Sequence, residues 1–385
     1  MDGDQRARLE EGIDELLGRF PRPAEADPVR FSAARFDLGL AWVHFGPGWG
    51  GLGLAPELQE LVDTRLGAAG APPPGADYVG LHQAAEAVHA AGTDAQRERF
   101  LRATFTGAIH WCQLFSEPGA GSDLAALAAS AVPDGESWVV NGQKVWTSGG
   151  RDADWAILLA RTDPDLPKHR GLTLFACDMH APGVEVRPLR QADGGAHFSE
   201  VFLTDVIVPD DMRLGDVGQG WGISLAAMSS ERAGTSALFR RPPSELVGRW
   251  SEAPDRDTAV GRARRDQVMQ AWIDARVVAG AALAPSLAKV AASEQCQRQS
   301  SVLAGVLGMA AQVGPGYDAA LGDDEAAALD FGAMSPARFV VRSRAMSIEG
   351  GTNEIQRNVV GERVLGLPGD VRVDKDRPWR EVPRS

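Results

Sequence analysis

The sequence predicts an α+β protein in which a β-rich region separates two helical regions. Apolar residues repeat at helical spacing before about residue 108 and after about residue 216, whereas short β-type runs and turn residues fill the interval between them. A chain of 385 residues is long enough for several domains with a large core. We expect an N-terminal helical domain over 1–108, a middle β-barrel or sandwich domain over 109–215, and a C-terminal helical bundle with a tail over 216–385.

The first region contains three helix candidates. Residues 7–18 place four apolar side chains on one stripe: Leu9, Ile13, Leu16 and Leu17. Residues 84–91 are rich in good helix formers and end at Gly92. Asp94 is expected to cap the next helix, over 95–103.

The middle region alternates β-type runs with turn signals. Asn141-Gly142 lies between the runs 137–140 and 144–147, which predicts a β-hairpin turning at these two residues. Further strand candidates follow, separated by Gly, Pro and Asp: 155–160, 172–176, 184–186 and 200–203. Their spacing of roughly ten residues is typical of a small barrel or sandwich.

The third region returns to the helical pattern after Gly220. Three long, Ala-rich segments predict a bundle of antiparallel helices: 221–239, 262–278 and 281–307. Residues 241–258 contain three prolines and predict a long connection. The charged end of the chain, 369–385, is predicted to lie on the surface.

Composition excludes several classes of function. A net charge of −13 argues against nucleic-acid binding, although a local pocket can still bind an anion. The three cysteines, Cys112, Cys177 and Cys296, are scattered, which indicates a reducing, cytoplasmic compartment without a disulfide framework. Neither they nor the seven histidines have metal-ligand spacing. No apolar run approaches the roughly 20 residues of a membrane helix, so we expect neither a metal nor a membrane partner.

A glycine-rich stretch, residues 46–51, matches the dinucleotide-binding pattern G-x-G-x-x-G. That fingerprint needs a strand before it, a helix directly after it and an acidic residue about 20 positions further on. Pro56 follows closely, and the surroundings are helical. The stretch therefore predicts a turn between helices, and a flavin would have to bind by another route.

Four segments, taken in order, resemble the acyl-CoA dehydrogenase family: WGGLG at 49–53, FSEPGAGSD at 115–123, NGQKVWTS at 141–148 and GGTNEIQRN at 350–358. A weaker fifth segment is HFSEVFLTDV at 197–206. The resemblance extends over nearly the whole chain. It implies an N-terminal helical domain, a middle β-domain and a C-terminal four-helix bundle, together with FAD-dependent desaturation of an acyl thioester between its α and β carbons.

The resemblance also implies the residues that bind FAD: Phe115, Ser116, Ser122, Trp146, Thr147, Ser148, Thr352 and Glu354. Glycines in 115–123 would let backbone N–H groups approach the ligand, and Trp146 would exclude water beside the flavin ring. Glu354 stands where many members carry glutamine, and a carboxylate is unfavourable beside a pyrophosphate. The structural alternatives are a plain turn at 115–123 and a core tryptophan at 146.

The catalytic base is expected on the bundle. A thioester α-proton is weakly acidic, so its removal needs a carboxylate and donors to the thioester oxygen. Many members carry the base where this chain has Gly350, with Glu349 one residue earlier. A branch of the family carries it on the first long bundle helix, where Glu231 matches. The alternative for Glu231 is an ion-paired carboxylate on the helix surface.

The remaining active-site residues follow from the same resemblance. Gly350 would keep its backbone N–H as a donor to the thioester oxygen. The implied substrate-binding residues are Ser122, Ser229, Arg232 and Gly351.

Two family segments that border FAD at subunit contacts, Arg-x-x-Phe-Gly and Gln-x-x-Gly-Gly, are missing or weak. Such losses, and the ending at 373–380, resemble actinobacterial members that assemble as heterotetramers of two chains and act on steroid or other bulky acyl-CoAs. A homo-oligomer remains the alternative, and the implied electron acceptor is an electron-transfer flavoprotein. Two other functions stay open: a non-catalytic subunit that completes a partner's FAD site, and a flavin oxidase or monooxygenase acting on a non-CoA substrate or a carrier-protein thioester.

Overall fold

The computed structural model describes residues 3–75, 77–228, 243–281, 283–313, 334–369, 371 and 374–383. Within them a mixed β-sheet lies between two groups of helices along the chain, in the predicted order. None of the described helices has the length and apolar content needed to cross a bilayer.

The N-terminal region contains five α-helices: α1 (Gly3–Arg19), α2 (Pro28–Asp37), α3 (Gln59–Ala68), α4 (Ala85–Ala91) and α5 (Asp94–Thr106). The predicted stripe of α1 is confirmed, because Leu9, Ile13 and Leu16 are fully buried in one cluster with apolar residues of α2 and α3. The glycine-rich stretch 46–51 forms turns between α2 and α3, as predicted.

The predicted cap of α5 is wrong by one residue. Thr93 is the cap, and Asp94 is the first residue of the helix. The Thr93 hydroxyl accepts the Gln96 N–H, and the Gln96 side chain accepts the Thr93 N–H in return. This reciprocal pair satisfies two backbone donors, which a cap at Asp94 would leave without these partners.

The middle region forms one eight-stranded sheet in the order β6-β7-β3-β2-β4-β5-β8, with β1 paired to β4. Its strands are β1 (Trp111–Leu114), β2 (Ser130–Asp134), β3 (Ser137–Ser148), β4 (Trp155–Arg161), β5 (Leu172–Asp178), β6 (Val184–Leu189), β7 (Phe198–Pro209) and β8 (Arg213–Leu214). The four strands predicted after residue 150 are confirmed by β4 to β7.

The hairpin predicted at Asn141-Gly142 is wrong. These residues lie inside the continuous strand β3, at a bulge in its pairing with β7, and the hairpin turn is at 135–136, between β2 and β3. The Asn141 amide exchanges two hydrogen bonds with Asp205 of β7, at 3.0 and 2.9 Å. A Cβ at Gly142 would lie 2.5 Å from the Ala129 Cβ, so glycine serves here for close packing between strands.

The described residues of the C-terminal region begin with the helix 220–228, here α6, and the rest of the predicted segment 221–239 lies outside the described residues. The region continues with α7 (Pro243–Ser251), α8 (Ala259–Gly280), α9 (Pro285–Leu307), α10 (Pro336–Arg342) and α11 (Asn353–Val359). Helices α8 and α9 confirm two of the predicted segments. The long connection predicted over 241–258 is wrong, because α7 forms within it.

Helix α7 is compatible with the prolines that argued against it. Pro243 is its first residue, where a proline sacrifices no helical hydrogen bond. Leu246 and Trp250 then pack in a cluster with Val268 of α8 and Val306 of α9. Tertiary burial thus favours a helix that the local composition did not predict.

The end of the chain was predicted to lie on the surface, and most of its described residues are exposed. Trp379 is the exception, with only 8% of its surface exposed. Its indole N–H donates to the Ala126 carbonyl at 3.1 Å, and the Arg161 guanidinium lies 4.2 Å from its ring. An aromatic anchor therefore docks this segment on the sheet.

Candidate active site

The loop 117–123 is held at its first residue by a buried ion pair. The Lys144 side chain of β3 is fully buried, and its ammonium donates to Glu117 Oε1 at 2.9 Å. It also donates to the carbonyls of Phe115 and Leu159, at 3.0 and 2.8 Å. All three ammonium protons thus have acceptors, as a buried lysine requires.

The Glu117 carboxylate accepts hydrogen bonds from three donors among the described residues. Besides Lys144, the backbone N–H groups of Ala128 and Ala129 donate to it at 2.7 and 2.8 Å. Burial lowers the pKa of Lys144, and the Glu117 charge opposes that shift. The ion pair therefore ties 115–123 to 141–148, the second and third family-like segments. Neither Glu117 nor Lys144 was predicted as a site residue, although both lie inside quoted motifs.

Phe115 and Ser116 lie against β3 rather than in open space. The Phe115 side chain is buried in the main core, and the Ser116 carbonyl accepts the Val145 N–H at 2.9 Å. Phe115 therefore offers a ligand its backbone and not its ring. The Ser116 residue is half-buried.

The rest of the loop is exposed, except for Ala120, which is buried. Its other end is held by Lys168, whose ammonium lies 2.8 Å from Asp123 Oδ2. Between the two ion pairs, a Cβ added at Gly119 or Gly121 would meet no atom within 4 Å, and Ser122 is exposed. A ligand can therefore approach this backbone closely.

Trp146 has the most unusual backbone of the site. Its φ is +62°, and 60% of its surface is exposed, although it lies within β3. Left-handed backbone is costly for a bulky residue and clusters at functional sites. The indole meets Phe198 of β7 edge to face, with ring centroids 5.8 Å apart. This exposed, flat surface fits the ring of a flavin.

Thr147 and Ser148 lie on opposite faces of β3. Thr147 pairs with Ser199 of β7, and Ser148 pairs with Phe198. Thr147 and Ser199 are buried, and within the described part of the chain neither hydroxyl has a hydrogen-bond partner. Because side chains alternate along a strand, half-buried Ser148 shares the face of Phe198. We expect Ser148, more than Thr147, to meet a ring bound against Trp146.

Arg342 of α10 connects the aromatic pair of Trp146 and Phe198 with the start of the fourth segment. Its guanidinium lies 6.0 Å from the Phe198 ring, and its Nη2 is 3.0 Å from Glu349 Oε2. Trp146, Phe198, Arg342 and Glu349 thus form a continuous path from β3 to the loop that begins at Gly350. The structure brings the third, fourth and fifth family-like segments together.

The loop before α11 depends on two left-handed glycines, Gly350 and Gly351, with φ of +65° and +85°. The Gln356 amide donates to the Gly350 carbonyl at 3.1 Å. Thr352 caps α11 by accepting the Ile355 N–H at 3.2 Å, which leaves its hydroxyl proton for a ligand.

Glu354 points into solvent. Its side chain is 78% exposed and lies 3.7 Å from the Arg357 guanidinium. Solvent and this partner reduce the repulsion that its carboxylate would exert on a pyrophosphate.

The predicted base lies outside the described residues, as do Ser229 and Arg232. Gly350 cannot supply a carboxylate, because glycine has no side chain. Among the described residues, the Glu349 carboxylate is paired with the guanidinium of Arg342, and Arg342 is 5% exposed. The fourth segment therefore presents no uncommitted carboxylate at its Gly-Gly-Thr turn.

A buried lysine that sequence reasoning missed lies beneath this turn. Lys289 of α9 donates to Asn353 Oδ1 at 3.0 Å, and the Ser293 hydroxyl donates to the same oxygen at 2.9 Å. Burial lowers the pKa of Lys289 to about 8. Its Cε would be 3.9 Å from a Cβ at Gly350. The available signal was a single lysine within the Ala-rich first half of α9.

These features together fit FAD without a βαβ unit. The exposed indole of Trp146 and the half-buried Ser148 suit a flat ring with polar edges. The open glycines of 117–123 suit the close approach of a phosphate-containing chain, and the N-terminus of α11 with Thr352 adds N–H and O–H donors.

Comparison with known proteins identifies the family of this chain. The family model of the acyl-CoA dehydrogenase middle domain matches residues 112–206, and that of the C-terminal domain matches 263–365. Acyl-CoA dehydrogenase FadE34 of Mycobacterium tuberculosis is 38% identical over 375 residues, which cover 94% of this chain and 50% of FadE34. This chain thus spans half the length of that relative.

Two further relatives match over most of their length. Acyl-CoA dehydrogenase IpdE1 of Mycobacterium tuberculosis is 34% identical over 343 residues, covering 84% of this chain and 85% of IpdE1. The crystal structure of the ChsE4-ChsE5 complex from Mycobacterium tuberculosis is 26% identical with a TM-score of 0.66, over 96% of this chain and 99% of the matched chain. The chain therefore belongs to the acyl-CoA dehydrogenase family, whose members are FAD-dependent oxidoreductases.

Proposed function

We propose that this chain desaturates an acyl-CoA thioester between its α and β carbons, with Glu231 as the base. The proposal rests on family membership and on one observation at the fourth segment. Gly350 has no carboxylate, and Glu349 is engaged by buried Arg342 at 3.0 Å. Because the Arg342 cation already holds the Glu349 carboxylate, we infer that Glu349 does not serve as the base.

The base must then come from another element. Glu231 is three residues beyond the last described residue of α6, the first helix of the C-terminal region. In the mechanism we propose, its carboxylate removes the α-proton, while Gly350 donates its N–H to the thioester oxygen. Trp146 and Ser148 would hold the flavin ring of FAD, which would supply the hydride acceptor for the β carbon.

The substrate contacts we propose come from two sides of the site. The exposed Ser122 of the open loop would meet the carrier end of the thioester. Ser229, Arg232 and Gly351 would bind nearer the reacting carbons. Gly350 leaves space beside the thioester, so we propose that the acyl group is bulky. By family resemblance, we propose an electron-transfer flavoprotein as the electron acceptor.

We also propose a heterotetramer with a second acyl-CoA dehydrogenase-like chain, in preference to a homo-oligomer. A chain of the ChsE4-ChsE5 complex is similar to this chain, and the match covers 96% of this chain. The same observation supports a second candidate function, a subunit that completes a partner's FAD site without doing chemistry. Gly350 favours that candidate, since it lacks the carboxylate that many members carry there.

Anaerobic bleaching of the flavin by a panel of acyl-CoAs, with and without a candidate partner chain, tests the reaction. Glu231→Gln should retain FAD but lose turnover by on the order of 10²-fold or more. Glu252→Gln, at an exposed carboxylate directly after α7, is the matched control and should bleach normally. Full activity of Glu231→Gln in the reconstituted complex would assign the chemistry to another residue or to the partner.

A further inference from the structure

Lys289 of α9 is a buried cation whose role the proposed reaction leaves unassigned. It is 3% exposed, and among the described residues no carboxylate lies at ion-pair distance from its ammonium. Buried Lys144, by comparison, has Glu117 as its partner at 2.9 Å. Burying an ammonium without such a partner is costly, which indicates a role beyond packing.

The ammonium of Lys289 is hydrogen-bonded to the first residue of α11. Its Nζ donates to Asn353 Oδ1 at 3.0 Å, and the hydroxyl of Ser293, one helical turn further along α9, lies 2.9 Å from the same oxygen. Asn353 is 5% exposed, so these contacts are sheltered from water. Asn353 therefore joins the start of α11 to α9, with Lys289 as the charged donor.

Asn353 follows the turn that carries the proposed donor to the thioester oxygen. Gly350 and Gly351 have left-handed backbone, and a Cβ added at Gly350 would lie 3.9 Å from the Cε of Lys289. The ammonium is bonded to that Cε, so its charge lies beneath the turn. Glycine adopts many backbone conformations, and neighbouring contacts must therefore fix the direction of the Gly350 N–H.

Two such contacts hold the turn. The amide of the fully buried Gln356 donates to the Gly350 carbonyl at 3.1 Å. The bond from Lys289 holds Asn353, three residues beyond Gly350. A shift of about 1 Å at a group that contacts the reacting atoms can cost on the order of 10²-fold in rate. Both contacts are thus placed to affect the aim of the Gly350 N–H.

The charged neighbours of Lys289 leave its ammonium uncompensated. Among the described residues they are paired with other groups: Glu349 with Arg342, Glu354 with Arg357, and Arg357 with Glu294. Burial lowers the pKa of Lys289 to about 8, the Glu349 and Glu354 carboxylates oppose this shift, and the Arg357 cation adds to it. Lys289 is therefore mostly protonated at neutral pH and loses its proton as the pH rises through about 8.

We propose that Lys289 is a positioning residue for the reaction, whose ammonium holds Asn353 and so directs the Gly350 N–H at the thioester oxygen. This inference rests on the proposed function, which supplies the thioester. Removal of the α-proton moves negative charge onto that oxygen, and a correctly aimed donor stabilises this charge. A neutral amine holds the Asn353 oxygen less strongly than an ammonium does, because charge-assisted hydrogen bonds are the stronger ones. Loss of the Lys289 proton should therefore slow α-proton removal more than it weakens substrate binding.

The pH dependence of flavin bleaching tests this role in the FAD-loaded protein, with its partner chain where one is required. At saturating concentrations of an acyl-CoA that bleaches the flavin, the parent rate should fall about tenfold between about pH 7 and pH 9.5, while the apparent Kd changes less than about twofold. Lys289→Met should be about tenfold slower already at pH 7 and should show no further fall. Lys375→Met, at an exposed lysine in the C-terminal tail 374–383, should keep the parent profile.

Two near-isosteric variants and one conservative variant identify the titrating group. Lys289→Arg keeps its charge throughout, so it should restore bleaching to within about threefold of the parent at pH 7 and abolish the fall. Asn353→Asp places a carboxylate against the ammonium, which should move the fall to higher pH by about one unit or more. Ser293→Ala removes the uncharged donor and should leave the fall at the parent pH. This set separates the charge of Lys289 from simple support of the turn.

Acetoacetyl-CoA tests the donor without oxidation, because its acidic α-proton reports how well the thioester oxygen is stabilised. At pH 7, Lys289→Met should form about tenfold less of the ultraviolet-absorbing enolate than Lys375→Met. The proposal is overturned if these two variants behave alike, or if the fall in bleaching stays at the parent pH in both Lys289→Arg and Asn353→Asp. If no acyl-CoA bleaches the parent flavin while the enolate difference persists, the proposed reaction is rejected and this role of Lys289 is retained.

Discussion

The two most specific family-like segments, 115–123 and 350–358, both place glycines beside a hydroxyl residue, yet they are held in different ways. The loop 117–123 is fixed at its ends by ion pairs to Lys144 and Lys168, at 2.9 and 2.8 Å. Its Gly119 and Gly121 have open space around them. The turn at Gly350 and Gly351 instead depends on left-handed backbone, with φ of +65° and +85°.

This difference shows that similar glycine patterns can serve different physical needs. In the first loop, charges set the position, and the glycines leave room for a ligand. In the second, the glycines set the backbone itself, and the Gln356 amide supports it with a hydrogen bond of 3.1 Å. The two loops should therefore respond differently to substitution.

The largest effect is expected at Lys144. Lys144→Met leaves the Glu117 carboxylate without its buried cation, which should lower the free energy of unfolding by about 3–5 kcal/mol. Urea unfolding monitored by circular dichroism measures this, and FAD content should fall in parallel. Lys375→Met, at an exposed tail lysine, should change stability by less than about 0.5 kcal/mol. A loss below about 1 kcal/mol at Lys144 would mean that charge does not hold this loop.

An intermediate effect is expected in the second loop. Gly351→Ala forces a side chain into left-handed backbone and towards the Gln356 amide, only 2.4 Å from the new Cβ. The free energy of unfolding should fall by about 1–3 kcal/mol. Gly121→Ala, which meets no neighbour, should change it by less than about 0.5 kcal/mol while weakening FAD binding in fluorescence titrations. Equal destabilisation by both substitutions would remove the distinction between the loops.

The smallest effect on stability is expected at Trp146. Trp146→Gly relieves the strain of φ +62° but adds backbone freedom and loses the Phe198 contact, so stability should change by less than about 1 kcal/mol. FAD affinity should nevertheless fall. Trp138→Gly, at a tryptophan only 8% exposed in the same strand, should cost about 3–5 kcal/mol. A Trp146 variant as unstable as the Trp138 variant would indicate a packing role in place of a ligand-facing one.

Periodicity predicted most of the secondary structure, because burial of one helix face or one strand face leaves a local pattern. The errors occurred where a distant partner outweighed local preference. Asn141-Gly142 favours a turn by itself, but Asp205 pairs with Asn141 and keeps both residues in β3. Prolines argued against a helix before residue 258, but the cluster of Leu246 and Trp250 with Val268 stabilises α7. A pattern of neighbouring residues in the sequence does not reveal such distant partners.

For the candidate site, the motifs predicted roles for Trp146, Ser122 and Gly350 because each lies within a distinctive run of residues, and these roles stay predictions. The buried cations Lys144, Lys289 and Arg161 were not predicted, since their acceptors lie up to 64 residues away in the sequence. A lysine or arginine in isolation is more often a solvated surface residue, and only its burial reveals another role.

By itself, the sequence determined the order of helices and strands and the four motifs that identify the family, because these depend on neighbouring residues. Only the tertiary structure decided which charged groups meet. It paired Glu349 with Arg342 at 3.0 Å and joined Asp123 to the tail through Lys168. Such pairs form when folding removes water from groups far apart along the chain, and the cost of burying an unpaired charge then selects their partners.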